Sequence, residues 1–167
     1  LDTVLGPEMK STGEAMGHGP NFGTAYLKAM KGGNKKIPTK GTVFLSISNK
    51  FKVEIVGLAK RLKKLGFKLI ATKGTASHLR ASDIDSKVIW RISDKKSPDI
   101  LSIMREGNVN LIVNLPTGKR AATDGAQMRR LAVELGIPFI TTITGAEAAI
   151  QSLEEGENDY LMPINKQ

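Results

Sequence analysis

The chain has 167 residues, 40% of them hydrophobic and 25% charged, and carries a formal net charge of +9. That length can hold one sizeable core with an appendage, and the composition is that of an ordinary soluble globular protein. The positive excess favours an anionic partner, and the absence of cysteine excludes disulfides, thiol nucleophiles and thiolate metal sites.

Residues 1–20 show no clear period, with glycines and a proline among apolar residues, and read as an arm or as the tail of a preceding domain. The chain opens Leu1-Asp2-Thr3 without a basic leader, and no apolar run approaches the ~20 residues that span a bilayer. A cytoplasmic fragment of something longer is the expectation. Asn21 is a good helix cap, and Tyr26, Leu27 and Met30 form an apolar stripe over a helix from Asn21 to about Met30. Gly32-Gly33-Asn34-Lys35-Lys36-Ile37-Pro38 has linker composition, so residues 21–41 are expected to form a junction and 42–167 the main domain.

From there apolar strands alternate with amphipathic helices. Thr42–Ile47 is a predicted strand. Lys50–Leu65 is a predicted helix with Ile55, Leu58, Ala59, Leu62 and Leu65 on one face, ended by Gly66. A strand over Phe67–Ala71 leads into the turn Thr72-Lys73-Gly74-Thr75 and a helix from Thr75 to about Ala81. Lys87–Trp90 is a short strand. A helix then starts at Ser97 or Pro98 with Ile100, Ile103 and Met104 inward. Asn110–Asn114 is the fourth strand. A helix over Asp124–Leu135 follows, with Met128, Leu131, Ala132 and Leu135 on its face. Ile137–Ile140 is the fifth strand. Thr144 opens the last helix, with Glu147 completing a capping box and Gly156 ending it.

Five strand–helix units predict an α/β three-layer sandwich, a parallel sheet with helices on both faces and right-handed connections. In such sheets ligands bind beyond the carboxyl ends of the strands, where strand order reverses. Those positions carry Ser46, Ser48, Lys50 and Lys52 after strand one, and Thr72, Lys73, Gly74 and Thr75 after strand two. Trp90 and Arg91 follow strand three, Asn114, Thr117, Gly118, Lys119 and Arg120 strand four, and Thr141, Thr142 and Thr144 strand five. Hydroxyls, amides and cations converge there, and none of these first positions is a carboxylate. The turn at Thr72–Thr75 adds the free N–H groups of a helix start, which suits an anion.

A catalytic set does not assemble. His18 lies in the arm and His78 in the early turns of a helix, where a solvated histidine is the simpler role. Asp94, Asp99 and Asp124 each fall at or near a predicted helix start, where acidic residues complement the dipole. No metal-ligand spacing, GxxxxGK[ST] or GxGxxG occurs. The basic clusters Lys60-Arg61-Lys63-Lys64 and Arg129-Arg130 flank apolar stripes and read as solvated faces; with 5% aromatic residues and no recognition motif, nucleic acid is not the expected partner.

Leu5-Gly6-Pro7-Glu8-Met9-Lys10-Ser11-Thr12-Gly13-Glu14 resembles the segment that closes the second ATP-using half of the carbamoyl phosphate synthetase large chain. Ala71-Thr72-Lys73-Gly74-Thr75, Val113-Asn114-Leu115-Pro116, Met128-Arg129-Arg130 and Pro138-Phe139-Ile140-Thr141-Thr142 follow in the order of that enzyme's C-terminal allosteric domain. The resemblance covers essentially the whole chain. It assigns residues 1–20 to the preceding synthetase domain and 42–167 to a methylglyoxal synthase-like domain. It implies an allosteric, non-catalytic part of a ligase, carbamoyl-phosphate synthase (glutamine-hydrolysing), serving pyrimidine and arginine synthesis. No cofactor is implied for this fragment; the full enzyme would use ATP with Mg or Mn, and its partners would be the rest of the large chain and a glutaminase subunit.

By the same resemblance, Thr72, Thr75 and Lys52 hold the effector's phosphate or carboxylate, Ser46 sits at the pocket floor, and Asn114 contacts the ligand body. Lys73, Gly74, Trp90, Arg91, Thr117 and Lys119 complete the site, and Thr141 matches an interface threonine that senses ornithine in some members. Effectors in the family are uridine or inosine phosphates, or N-acetylglutamate. Leu115-Pro116 and Trp90 look like the urea-cycle and multifunctional animal members, while Thr117-Gly118-Lys119-Arg120 stands where the N-acetylglutamate responders carry asparagines, and Arg91, Lys119 and Arg120 favour a phosphate. The alternative is a methylglyoxal synthase-type lyase acting on dihydroxyacetone phosphate. That activity relies on an aspartate before a proline after strand four, a slot filled here by Leu115.

Overall fold

The computed structural model describes residues 38–116 and 119–160, the side chains of 119–122 and 157–160 excepted. The arm at 1–20 and the helix expected at 21–30 lie outside the described residues. The elements run β1 (Thr42–Ile47), a 3-10 turn (Asn49–Phe51), α1 (Lys52–Lys64), β2 (Lys68–Ala71), α2 (Lys73–Arg80), β3 (Lys87–Val88) and a second 3-10 turn (Ile92–Asp94). They continue with α3 (Ile100–Arg105), β4 (Leu111–Leu115), α4 (Lys119–Leu135), β5 (Phe139–Ile140) and α5 (Ile143–Tyr160).

All ladders are parallel, in the order β3-β2-β1-β4-β5. The chain builds outward from β1 to β3, returns past β1, and builds outward again through β4 and β5. Strand order therefore reverses between β1 and β4, the crevice where open α/β sheets bind ligands. Alternation along β1 divides the interior. Val43, Leu45 and Ile47 pack with Ile55, Leu58 and Leu62 of α1, Leu79 of α2, and Ala149, Ile150 and Leu153 of α5. Phe44 points the other way, with Ile112, toward Ile100 and Met104 of α3 and Met128 and Ala132 of α4. The result is three layers, with α1, α2 and α5 on one face and α3 and α4 on the other. Among the described residues no helix is long and apolar enough to cross a membrane.

Several element ends differ from the sequence expectation, each for a local reason. The helix expected from Lys50 begins at Lys52, because Asn49–Phe51 first make a 3-10 turn. The second helix begins at Lys73 rather than Thr75, with Thr72 in extended conformation as its first flanking residue. α3 starts at Ile100 rather than at Ser97 or Pro98; Asp99 is its cap, its carboxylate accepting the Ser102 N–H at 2.9 Å. α4 starts at Lys119, five residues before Asp124, and its stripe ends one turn early, since Leu135 is 44% exposed. No capping box forms at Thr144. Thr142 caps α5 by accepting the Gly145 N–H at 2.9 Å, and the helix continues past Gly156 to Tyr160.

Glu147, expected to complete that box, instead belongs to an ion-pair cluster. Arg61 of α1 donates from Nη1 to Glu147 at 2.6 Å and from Nε and Nη2 to both oxygens of Glu154 at 2.9 and 2.8 Å. The Arg61–Glu154 hydrogen bond, resisted by partial desolvation, holds the Glu154 carboxyl below its ordinary value. Arg61 is thus a clamp between α1 and α5 rather than one more cation of a solvated face. Both partners stay about one-third exposed, so solvent screening limits the cluster to about 1 kcal/mol. Arg61→Met should lower the unfolding free energy in urea by about that amount at neutral pH. Because the Glu154 pKa is depressed in the folded state, the stabilisation is present above its ordinary value of 4.5 and fades as pH falls through the lower folded value. The parent and variant urea midpoints should therefore converge in acid.

Candidate anion-binding cleft

The site begins with one hydroxyl. Thr75, 1% exposed, accepts the Ile47 N–H at 3.1 Å and lies 3.4 Å from the Ile47 carbonyl, to which it donates. It also accepts from the Thr72 hydroxyl at 3.1 Å. These contacts bind the end of β1 to the first turn of α2. Thr72 flanks α2 but spends its hydroxyl on Thr75 and makes no side-chain cap. The first N–H groups of α2, which have no intrahelical acceptor, are left facing the turn. Gly74 makes that turn approachable: a Cβ placed there would lie 3.9 Å from the Lys52 ammonium. Lys52, at the start of α1, thus reaches the N-terminus of α2, where its Nζ donates to Asn49 Oδ1 at 3.0 Å. Burial lowers the Lys52 pKa from its ordinary value of 10.5. A cation held in a partly desolvated place beside a helix N-terminus is an unfavourable arrangement that an anion would relieve.

Around this turn opens a cleft of about 650 Å³, beyond the carboxyl ends of β1, β2 and β4. Ser46 and Asn114 are direct partners in the β1–β4 register and form its floor. Asn114 is 3% exposed, yet its amide has no hydrogen bond among the described residues. Gly125 of α4 crosses it closely; a Cβ there would come to 2.9 Å from Asn114 Nδ2. A buried amide with free donor and acceptor capacity, open to a cleft, is a group waiting for a partner. The Ser48 hydroxyl, buried without a partner on the same wall, is in a similar state.

The structure brings together Ser46, Lys52, Thr72, Lys73, Gly74, Thr75, Trp90, Arg91 and Asn114. Thr117 and the side chain of Lys119 lie outside the described residues. Thr141 follows β5 and is not part of the cleft lining. The Thr75 hydroxyl is engaged by Ile47 and Thr72 and ties the turn together, and the groups without an acceptor there are the first N–H groups of α2. Trp90 lines the cleft rather than the core, with the Lys96 ammonium 4.5 Å from its ring centroid.

The expectation of a pocket without carboxylates is corrected. Asp94 and Asp124 both line the cleft. Asp124, expected to complement a helix start, lies in the second turn of α4, 8% exposed, and accepts the Ser93 hydroxyl at 2.8 Å and the Ser93 N–H at 3.3 Å. Asp94 pairs with Arg91, whose hydrogen bond holds the Asp94 carboxyl below its ordinary value. The inward place of Asp124 was not legible from spacing, because α4 begins earlier than its apolar stripe does. Among the described residues no group of three or more His, Cys, Asp or Glu could hold a metal ion.

A family model described as an MGS-like domain matches residues 54–141. The chain is 49% identical over 154 residues to the "Carbamoyl phosphate synthase large chain, C-terminal section" of Methanocaldococcus jannaschii, covering 92% of this chain and 25% of that protein. It is 47% identical over 155 residues to the protein of the same description from Methanopyrus kandleri, covering 92% and 28%. A "Carbamoyl phosphate synthase large chain" of Methanosarcina barkeri is 43% identical over 168 residues, covering 99% and 42%. The chain therefore spans less than half the length of each of these relatives. A solved structure titled "Crystal structure of ForH" shares the fold with TM-score 0.51 and 19% identity, covering 70% of this chain and 81% of that one.

The approach of Gly125 to Asn114 can be tested directly. Gly125→Ala favours the helix by up to about 1 kcal/mol but displaces the Asn114 amide. Thermal stability should hold or rise while anion binding, read by titration calorimetry, weakens severalfold.

Proposed function

The chain belongs to the MGS-like domain family, and from that premise we propose that it is the effector-binding regulatory domain of a carbamoyl-phosphate synthase large chain, taking a nucleoside phosphate. The observation that carries this reading is the placing of the Lys52 ammonium beside the open N-terminus of α2. A phosphate there would gain the α2 N–H groups and Lys52, and the Thr72 hydroxyl once it turns from Thr75 to the ligand, each charge-assisted hydrogen bond contributing roughly 1.5–3 kcal/mol. The rest of the cleft suits the body of such a ligand. Three lysines come from the turns after β1 and β2, Arg91 paired with Asp94 comes from the segment after β3, and Asp124 comes from α4. A phosphate joined to a hydroxyl-bearing sugar matches that polarity better than a simple dicarboxylate, which would set a second negative charge near Asp94 and Asp124.

Regulation requires that the ligand bind two states of the enzyme unequally. In this reading the catalytic sites lie in the remainder of the large chain, which would use ATP with Mg or Mn and ammonia from a glutaminase subunit. Thr141, outside the cleft, would serve the contact with that remainder and ornithine sensing.

A second reading draws on Asp124. A buried carboxylate lining such a cleft is what a lyase acting on dihydroxyacetone phosphate would need to take a proton, although Leu115, 1% exposed within the core, fills the slot where that chemistry is expected.

Calorimetric titration with uridine and inosine monophosphates, uridine triphosphate and N-acetylglutamate tests the proposal. At least one phosphate ligand should bind, and Thr72→Val or Lys52→Met should weaken it about tenfold or more. Absence of binding by every ligand would refute it, and phosphate release from dihydroxyacetone phosphate would establish the lyase instead. Because burial lowers the Lys52 pKa, affinity should fall with rising pH before an ordinary lysine would lose its proton. Lys52→Met should remove that alkaline loss.

A further inference from the structure

The cations of the cleft are not equivalent. Lys73 makes no hydrogen bond or ion pair among the described residues, Lys52 bonds only the neutral Asn49, and Lys50 lies 5.5 Å from the Phe51 ring centroid. Arg91 alone among these four is matched by a carboxylate. Its Nη2 donates to Asp94 Oδ1 at 3.0 Å and its Nε to Oδ2 at 3.3 Å. The same carboxylate also accepts the Arg91 backbone N–H at 3.0 Å. The turn that carries the pair is fastened separately, because Asp124 holds the Ser93 N–H and hydroxyl from α4. The backbone is therefore fixed by contacts that do not need the guanidinium, while the guanidinium sits on a long flexible stem with its side chain 49% exposed. Exposed pairs of this kind are weak and screened, and a phosphate accepts a guanidinium in the same two-pronged geometry that Asp94 uses.

We propose that Asp94 is an internal counter-ion for Arg91 that a ligand's phosphate must displace, so that the pair sets how much negative charge a ligand needs to be held. The proposal rests on the reading of the cleft as an anion site and adds a specificity rule to it. A ligand reaching only the α2 turn meets Lys52 and leaves the pair closed. A ligand with charge enough to draw Arg91 away gains a bidentate partner, and Asp94 keeps its bond to the Arg91 N–H. Asp94 thus acts through Arg91 rather than on the ligand.

The test titrates uridine monophosphate and uridine triphosphate into the parent chain, Asp94→Asn, Arg91→Gln and the double variant, at several salt concentrations. Asparagine keeps an oxygen for the Arg91 N–H and removes the charge; Asp94→Ser, which keeps a hydroxyl acceptor, guards against a fold defect in the first variant, and melting curves verify both. Asp94→Asn should tighten the monophosphate about threefold, narrow the preference for triphosphate over monophosphate, and steepen the salt dependence. The gain should disappear in the Arg91→Gln background. Unchanged or weaker binding by both Asp94 variants would overturn the proposal, and so would a gain that survives without Arg91, since that would be simple removal of a negative charge. If the parent binds, and Thr72→Val weakens it while Asp94→Asn does nothing, this inference fails and the anion site stands. If neither ligand binds the parent or any variant, both fall together.

Discussion

The fold and the site meet at the Thr75 hydroxyl. Ile47 closes β1, and its backbone N–H and carbonyl would otherwise end the central strand without partners at a cleft edge. Thr75 takes both, at 3.1 and 3.4 Å, from the first turn of α2. A buried backbone group left unpaired costs about 1–3 kcal/mol, so the position of the α2 N-terminus relative to the sheet is tightly set. Everything else in the cleft is referenced to that point. Thr72 is drawn to Thr75 and away from capping its helix, which leaves the first N–H groups of α2 open. Thr75 thereby builds the turn on which those N–H groups stand.

Strand order determines what surrounds that surface. Because β1 lies between β2 and β4, the turns that follow these three strands open on one crevice. Register then places Ser46 beside Asn114, and alternation turns both toward the α3–α4 layer. The first face of the sheet is packed to closure by α1, α2 and α5. The second is covered by a short α3 and by α4, whose Gly125 lets the helix pass close over Asn114. The cleft is the space that this less complete cover leaves at the strand ends.

Charge is distributed with the same asymmetry. Among the described residues, the positive charge does not gather in the cleft as a simple basic patch. Arg61 is spent on Glu147 and Glu154, far along α1 from Lys52, and Arg91 is answered by Asp94. What the cleft offers is a mixed lining, in which a partly desolvated Lys52 and the unpaired Lys50 and Lys73 stand with the Arg91–Asp94 pair and a buried Asp124. A field of that form orients a ligand with unlike ends, whereas a uniform basic patch would attract anions without discrimination.

The amino-acid sequence by itself determined the alternation of strand and helix, the buried stripes at Ile55, Leu58 and Leu62 and at Ile100, Ile103 and Met104, and the strand-end positions that line the cleft. Those features are local: period, glycine stops and strand-to-helix turns are written in neighbouring residues. The family resemblance was legible too, because contiguous motifs such as Ala71–Thr75 carry it. Tertiary structure alone decided which groups remain free. Thr75 is consumed by a strand end 28 residues away, and Glu147 leaves an expected cap for an arginine 86 residues away. Asp124 turns inward because its helix starts before its apolar stripe, and Leu135, the last residue of that helix, is exposed. Hydrogen-bond partners across such separations depend on how layers pack, and a one-dimensional pattern contains the donors and acceptors without saying which of them will meet.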